Sequence, residues 1–127
     1  MGKKILLVED NSKNLRLIKL LLKGKGYDLI EAADGPSGLK KALQEKPDLI
    51  VMDIQLPGIS GLDITRRLRN TPGFETIPII AMTAHAMKGE PEEILEAGCN
   101  VYLSKPINTR EFPQEIEYWL NISPKND

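Results

Sequence analysis

Four short runs of unbroken apolar residues punctuate the chain. Lys4 to Val8 reads Lys-Ile-Leu-Leu-Val and stops at Glu9-Asp10-Asn11. Asp48 to Asp53 reads Asp-Leu-Ile-Val-Met-Asp, and Pro78 to Thr83 reads Pro-Ile-Ile-Ala-Met-Thr. Val101-Tyr102-Leu103 precedes Ser104-Lys105-Pro106. None of them alternates apolar with polar residues. A strand that is apolar at every position needs cover on both faces, which a parallel sheet between two helix layers provides. Tyr27 to Ala33 is a more polar strand candidate and suits a sheet edge.

Helical signals fill the gaps. Asn11 or Ser12 caps a helix that turns Leu15, Ile18 and Leu22 inward and stops at Gly24 and Gly26. Asp34-Gly35-Pro36 opens a second helix with Leu39, Ala42 and Leu43 inward, and Pro47 lies just beyond it. Gly61 to Asn70 predicts a third, facing the core with Leu62, Ile64, Thr65 and Leu68. Gly89 to Ala97 is short, has Pro91 near its start where Pro is tolerated, and ends at Gly98. The last helix runs from Asn108 towards Leu120. Asn108 with Glu111 resembles a capping box, and Ile107 with Phe112 a hydrophobic staple. Pro113 then falls in the second turn, where a missing N–H should kink or delay the helix.

Strand followed by helix, five times over, demands a parallel sheet with right-handed crossovers. The expected architecture is α/β: one doubly wound, five-stranded parallel sheet, (βα)5. The 127 residues suit a single domain spanning 1–127, with a core at about 4–120 and a frayed tail over 121–127. No linker, repeat or low-complexity stretch interrupts it.

Composition narrows the class. With 41% hydrophobic and 28% charged residues, the chain is a folded globule. A net charge of −1 and the lack of a Lys/Arg block argue against direct nucleic-acid binding. One Cys and one His do not build an ordinary zinc site. Cys99 is expected to be a buried small apolar residue, and a lone Cys suits a reducing cytoplasm. No segment approaches a signal peptide or a membrane span, so a cytoplasmic protein without membrane insertion is expected.

In an open parallel sheet, ligands bind beyond the carboxyl ends of the strands. The strand ends here are Glu9-Asp10, Asp53, Thr83 and Ser104-Lys105-Pro106. Three carboxylates at one edge repel unless a cation neutralises them. A hard divalent ion such as Mg2+ takes one or two carboxylates and phosphate oxygens. An ionised Asp beside it is a nucleophile for phosphorus. Phosphoryl transfer then needs in-line positioning and charge neutralisation, to which Lys105 and the Thr83 hydroxyl contribute.

Val8-Glu9-Asp10-Asn11, Met52-Asp53-Ile54-Gln55-Leu56-Pro57-Gly58, Met82-Thr83-Ala84 and Ser104-Lys105-Pro106 together resemble the response-regulator receiver family. The resemblance spans roughly Lys4 to Leu120 and implies a flavodoxin-like, CheY-like fold. It implies Asp53 as phospho-acceptor and Lys105 and Thr83 as its partners in the chemistry. It implies Mg2+, with Mn2+ as a substitute, on Glu9, Asp10, Asp53 and the backbone carbonyl of Gln55. Thr83 and Tyr102 take the switch positions, Gln55 and His85 the positions that tune dephosphorylation. A cis Lys105–Pro106 bond is implied as well. The phosphoryl donor would be a histidine kinase or a histidine phosphotransfer protein. The protein would be a signalling monomer, or a weak phosphorylation-dependent dimer, rather than a turnover enzyme. Within the family, Met52 to Pro57 and Thr83 to Gly89 look most like single-domain regulators of the DivK type and receivers attached to hybrid kinases.

Taken singly, each residue has a plainer use. Asp53 before Pro57-Gly58 could start a turn, Asp10 could cap a helix, Lys105 could be a solvated lysine, and Tyr102 could simply pack. Their joint occurrence at successive strand ends, in order, favours the receiver. An aspartyl-phosphate phosphatase would want a second Asp two residues past the nucleophile, where this chain has Gln55. A flavodoxin would want a phosphate-cradling loop after the first strand, where Glu9-Asp10 would repel the ligand. No GxGxxG or GxxxxGK[ST] is present. Two outputs fit equally: onward transfer to a histidine, or phosphorylation-dependent docking on a partner. A receiver excised from a hybrid kinase fits too.

Overall fold

The computed structural model describes residues 2–84 and 90–122. Five strands and five helices alternate: β1 (Lys4–Val8), α1 (Ser12–Leu21), β2 (Asp28–Ala32), α2 (Gly35–Glu45), β3 (Leu49–Asp53), α3 (Gly61–Arg69), β4 (Ile79–Thr83), α4 (Glu90–Ala97), β5 (Val101–Ser104) and α5 (Glu111–Asn121). The strands form one parallel sheet in the order β2-β1-β3-β4-β5. The chain leaves β1 for β2 on one side and returns past it to β3 on the other. The order therefore reverses between β1 and β3, and a crevice opens there at the carboxyl ends.

Successive residues of each strand serve opposite faces. Leu6, Val8, Ile50, Met52, Ile79 and Ala81 pack with Ala42, Ile64, Leu68 and Ile94 from α2, α3 and α4. Ile5, Leu7, Leu49, Val51, Ile80 and Met82 pack with Ile18, Leu22, Phe112, Ile116 and Leu120 from the α1 and α5 side. Both faces are covered, which explains the unbroken apolar runs of β3 and β4, every residue of which is buried. The polar candidate β2 is an edge strand, with only Ala32 fully buried.

Several local expectations hold. Asn11 is the α1 cap and accepts from the Asn14 N–H at 2.9 Å. Asp34 caps α2, accepting from Ser37 N–H at 2.8 Å. Leu62, Ile64, Thr65 and Leu68 are buried on α3, and Cys99 is buried.

Others need correction. Leu43 is 46% exposed rather than inward. The buried stripe of α2 runs through Gly35, Gly38 and Ala42, and Gly38 lies directly against Val8. That close approach centres the stripe away from Leu43. The last helix begins at Glu111, three residues after its predicted start. Asn108 still acts at its head, its Oδ1 accepting from the N–H groups of Arg110 and Glu111 at 2.9 and 2.8 Å. The Asn108 carbonyl accepts from the Phe112 N–H at 3.0 Å, but Pro113 has no N–H to carry that series on, so regular helix is delayed to Glu111, the delay expected of this proline. The predicted tail also starts late: Asn121 belongs to α5 and Ile122 caps it, while 123–127 lie outside the described residues. So does Gly89, the predicted start of α4.

Candidate functional site

The carboxyl ends of β1, β3 and β5 bring a carboxylate pair and an ammonium into contact. Glu9 follows β1, is 3% exposed, and has its N–H bound to the Ala32 carbonyl at 2.9 Å. Asp53 ends β3 and is 1% exposed. Lys105, just after β5, places Nζ 2.9 Å from Asp53 Oδ1 and 3.8 Å from Glu9 Oε1. Its backbone N–H donates to the Thr83 carbonyl at 2.8 Å, which ties the lysine to β4. The Lys105–Pro106 bond is cis.

Asp53 is held by its surroundings. The Gln55 N–H donates to Asp53 Oδ1 at 3.0 Å, and the Ile54 N–H donates to the Met82 carbonyl at 3.0 Å. The loop after β3 then closes by a 3.2 Å bond from Gly61 N–H to the Ile54 carbonyl. Gly61 opens α3 directly against the nucleophile candidate: a Cβ there would lie 2.3 Å from the Asp53 carbonyl oxygen. Only glycine permits this packing of helix start on strand end.

Glu9, Asp10 and Asp53 each offer an oxygen, and these atoms lie within 4.8 Å of one another. Among the described residues, three carboxylates, when all are ionised, face one ammonium and leave an excess of two negative charges at a partly buried place. Burial, above all, pushes the Glu9 carboxyl up to about 7; Asp53 adds to the rise, while the Asn11 N–H and the Lys105 ammonium oppose it. An all-oxygen donor set with a surplus of two charges fits a hard divalent cation of the Mg2+ or Mn2+ kind.

Thr83 ends β4 and is fully buried. Its Oγ1 accepts from Gln55 Nε2 at 3.2 Å, and Gln55 Oε1 accepts from the Ala84 N–H at 3.3 Å. Sequence reasoning placed the Gln55 backbone carbonyl at the metal and the residue at a position that tunes dephosphorylation, but did not foresee the side-chain bridge to Thr83 and Ala84. Its one signal was position, two residues beyond Asp53. Tyr102 lies within β5 opposite Ala81, half-buried on the face covered by α2, α3 and α4. His85 lies outside the described residues.

Residues 5–117 match the response regulator receiver domain, and the chain belongs to that family, the receivers of two-component signalling. The chain is 43% identical over 120 residues to the polar-differentiation response regulator DivK of Brucella anthropi, covering 94% of this chain and 98% of that one. The receiver domain of the sensor histidine kinase PA1611 from Pseudomonas aeruginosa superimposes with a TM-score of 0.87 at 38% identity, covering 95% and 99% of the two chains. That structure holds a magnesium ion in its active-site cleft. The Mn2+-bound response regulator Rcp1 superimposes with a TM-score of 0.80 at 27% identity, covering 95% and 96%. The likenesses to DivK and to the PA1611 receiver match the subgroups that the motifs resemble, DivK-type regulators and kinase-attached receivers. Among the described residues, no helix is long and apolar enough to cross a membrane.

Proposed function

We propose that Asp53 accepts a phosphoryl group from a phospho-histidine of a sensor kinase or phosphotransfer protein. The observation that carries this reading is the Lys105 ammonium between two buried carboxylates, one of them a 1% exposed aspartate at the sheet's switch point. The P–N bond of the donor breaks, a P–O bond to the Asp53 carboxylate forms, and the leaving imidazole nitrogen takes up a proton. The Gln55 N–H and Lys105 Nζ orient the carboxylate before attack, and Lys105 then offers its charge to a phosphoryl oxygen. Glu9, Asp10, Asp53 and the Gln55 carbonyl would hold Mg2+, or Mn2+ in its place. Bound there, the ion supplies neutralising charge to the transferring group.

The Thr83 hydroxyl is the group β4 would offer to the phosphate. Drawing it in, with Tyr102 turning inward, would alter the face made by α4, β5 and α5 for a partner or for onward transfer. The reading makes the chain a cytoplasmic signalling protein that catalyses its own phosphorylation and dephosphorylation, rather than a turnover enzyme. It acts as a monomer or a weak phosphorylation-dependent dimer.

The test is intact mass after incubation with acetyl phosphate and Mg2+. Wild type should gain one adduct of about 80 Da, absent from Asp53→Asn and from a metal-free control. A wild type that takes phosphate neither from acetyl phosphate nor from a panel of phospho-histidine donors would overturn the reading.

A further inference from the structure

The Gln55 carboxamide is bound at both of its ends to the tip of β4. An amide's oxygen and nitrogen look alike in shape, but the hydrogen bonds here fix which is which. The Ala84 backbone N–H only donates, so the atom facing it at 3.3 Å is Oε1. The atom facing the Thr83 hydroxyl oxygen at 3.2 Å is then Nε2, and the hydroxyl accepts. The same residue's backbone N–H is fastened to Asp53 Oδ1 at 3.0 Å. Gln55 therefore spans the gap from Asp53 to the end of β4, although its own side chain stands in solvent.

We propose that Gln55 is a latch on the resting state, a positioning residue that occupies Thr83 and the Ala84 amide until a phosphoryl group displaces it. This rests on Asp53 as the phospho-acceptor. A phosphoryl group there brings strongly accepting, charged oxygens into the space the carboxamide spans. Charge-assisted bonds exceed neutral amide bonds in strength, so the N–H of Ala84 passes from Oε1 to the anion. The Thr83 hydroxyl must likewise give up its bond from Nε2 to turn. Both bonds must break before β4 can respond, so the latch opposes anion binding by whatever they contribute. In an exposed setting that is modest, about three- to tenfold in an equilibrium constant.

The probe is beryllofluoride, an acyl-phosphate mimic, titrated with Mg2+ into 15N-labelled protein. The variant is Gln55→Met, which keeps the bulk and the backbone carbonyl but removes both side-chain bonds. In wild type the Ala84 amide resonance should move on loading. In Q55M it should already be displaced without the probe, and half-saturation should fall about three- to tenfold. Gln55→Ala should behave as Q55M does. An unchanged half-saturation in Q55M overturns the latch, as does an Ala84 resonance that stays put when wild type is loaded. A gain in Q55A without one in Q55M also overturns it, since that points to bulk alone. Wild type that binds no beryllofluoride removes the Asp53 reading itself, whereas binding by wild type with an unaltered Q55M removes only the latch.

Discussion

Two half-buried cations hold opposite poles of this sheet, and they are satisfied in different ways. Arg69, at the end of α3, donates to the carbonyls of Gly98 and Phe74 at 2.9 and 2.8 Å and to Asn100 Oδ1 at 3.0 Å. All three acceptors are neutral. They belong to the loops before β4 and β5, so the guanidinium ties those loops to α3 and borders a cleft of about 410 Å3 there. Lys105, at the carboxyl ends, faces two carboxylates with a third beside them. Arg69 directs its N–H groups to neutral acceptors and meets no carboxylate among the described residues. Lys105 neutralises only part of its surroundings, and the surplus negative charge has to be met by a metal or a proton. What marks the Lys105 pole as a functional site is therefore the clustered carboxylates that its ammonium does not offset, and not the presence of a half-buried cation as such.

Removing the cation that ties loops together should produce the larger loss of stability. Arg69→Ala leaves the Gly98 and Phe74 carbonyls without their donor, while Asn100 Oδ1 keeps the Ile79 N–H at 2.8 Å. Urea unfolding should show a cost of about 2–3 kcal/mol. Mg2+ affinity, followed by calorimetry, should stay within about twofold of wild type. A large change in metal affinity would show that the two poles are coupled and break the comparison.

The unbalanced pole should respond with the opposite sign. In the fold Glu9 keeps its proton up to about pH 7, against an ordinary value of 4.5. Between those values the folded state holds a proton that the unfolded chain has released. Glu9 therefore makes stability fall as pH rises through that window, and above it the carboxylate is a standing cost. Glu9→Gln should remove that part of the slope. In EDTA at pH 8 it should stabilise the protein, on the order of 1–3 kcal/mol, while weakening Mg2+ binding at least about tenfold. Denaturant midpoints across pH 5 to about 8 check the sign. Arg69→Ala should leave the same slope in place.

The contrast also separates what sequence carries from what it does not. Lys105, Asp53 and Glu9 stand at the ends of apolar runs, so periodicity alone assigned them to one edge of a parallel sheet. The strand boundaries followed for the same reason, and β2 declared itself an edge by its polarity. Arg69 had no such marker. Two of its acceptors are backbone carbonyls, which no residue type announces, and its partners in the α4–β5 loop lie 29 and 31 positions away. The Gln55 bridge was hidden likewise, because it depends on how the loop after Asp53 folds back. Asn108 was legible as a cap but not the helix start, since its side chain serves the N–H groups of Arg110 and Glu111 in a turn that precedes α5.

Leu43 offers the smallest effect and the sharpest check on how helix faces are assigned. Spacing alone groups Leu39, Ala42 and Leu43 on one side of α2, and a buried leucine would cost about 2–5 kcal/mol to truncate. The fold instead presses Gly38 onto Val8 of the sheet and Gly35 onto Ile64 of α3. The two glycines lie one turn apart, and Ala42 continues their row. That row becomes the centre of contact, leaving Leu39 at its rim and Leu43 46% exposed beyond it. Leu43→Gln exchanges one good helix former for another at a solvated position. Its urea midpoint should correspond to a change within about 0.5 kcal/mol. A loss of about 2 kcal/mol would mean that Leu43 is covered in solution, either by a different tilt of α2 or by a second molecule. Dilution separates these, because a tilt within one chain leaves the loss independent of protein concentration while a second molecule does not.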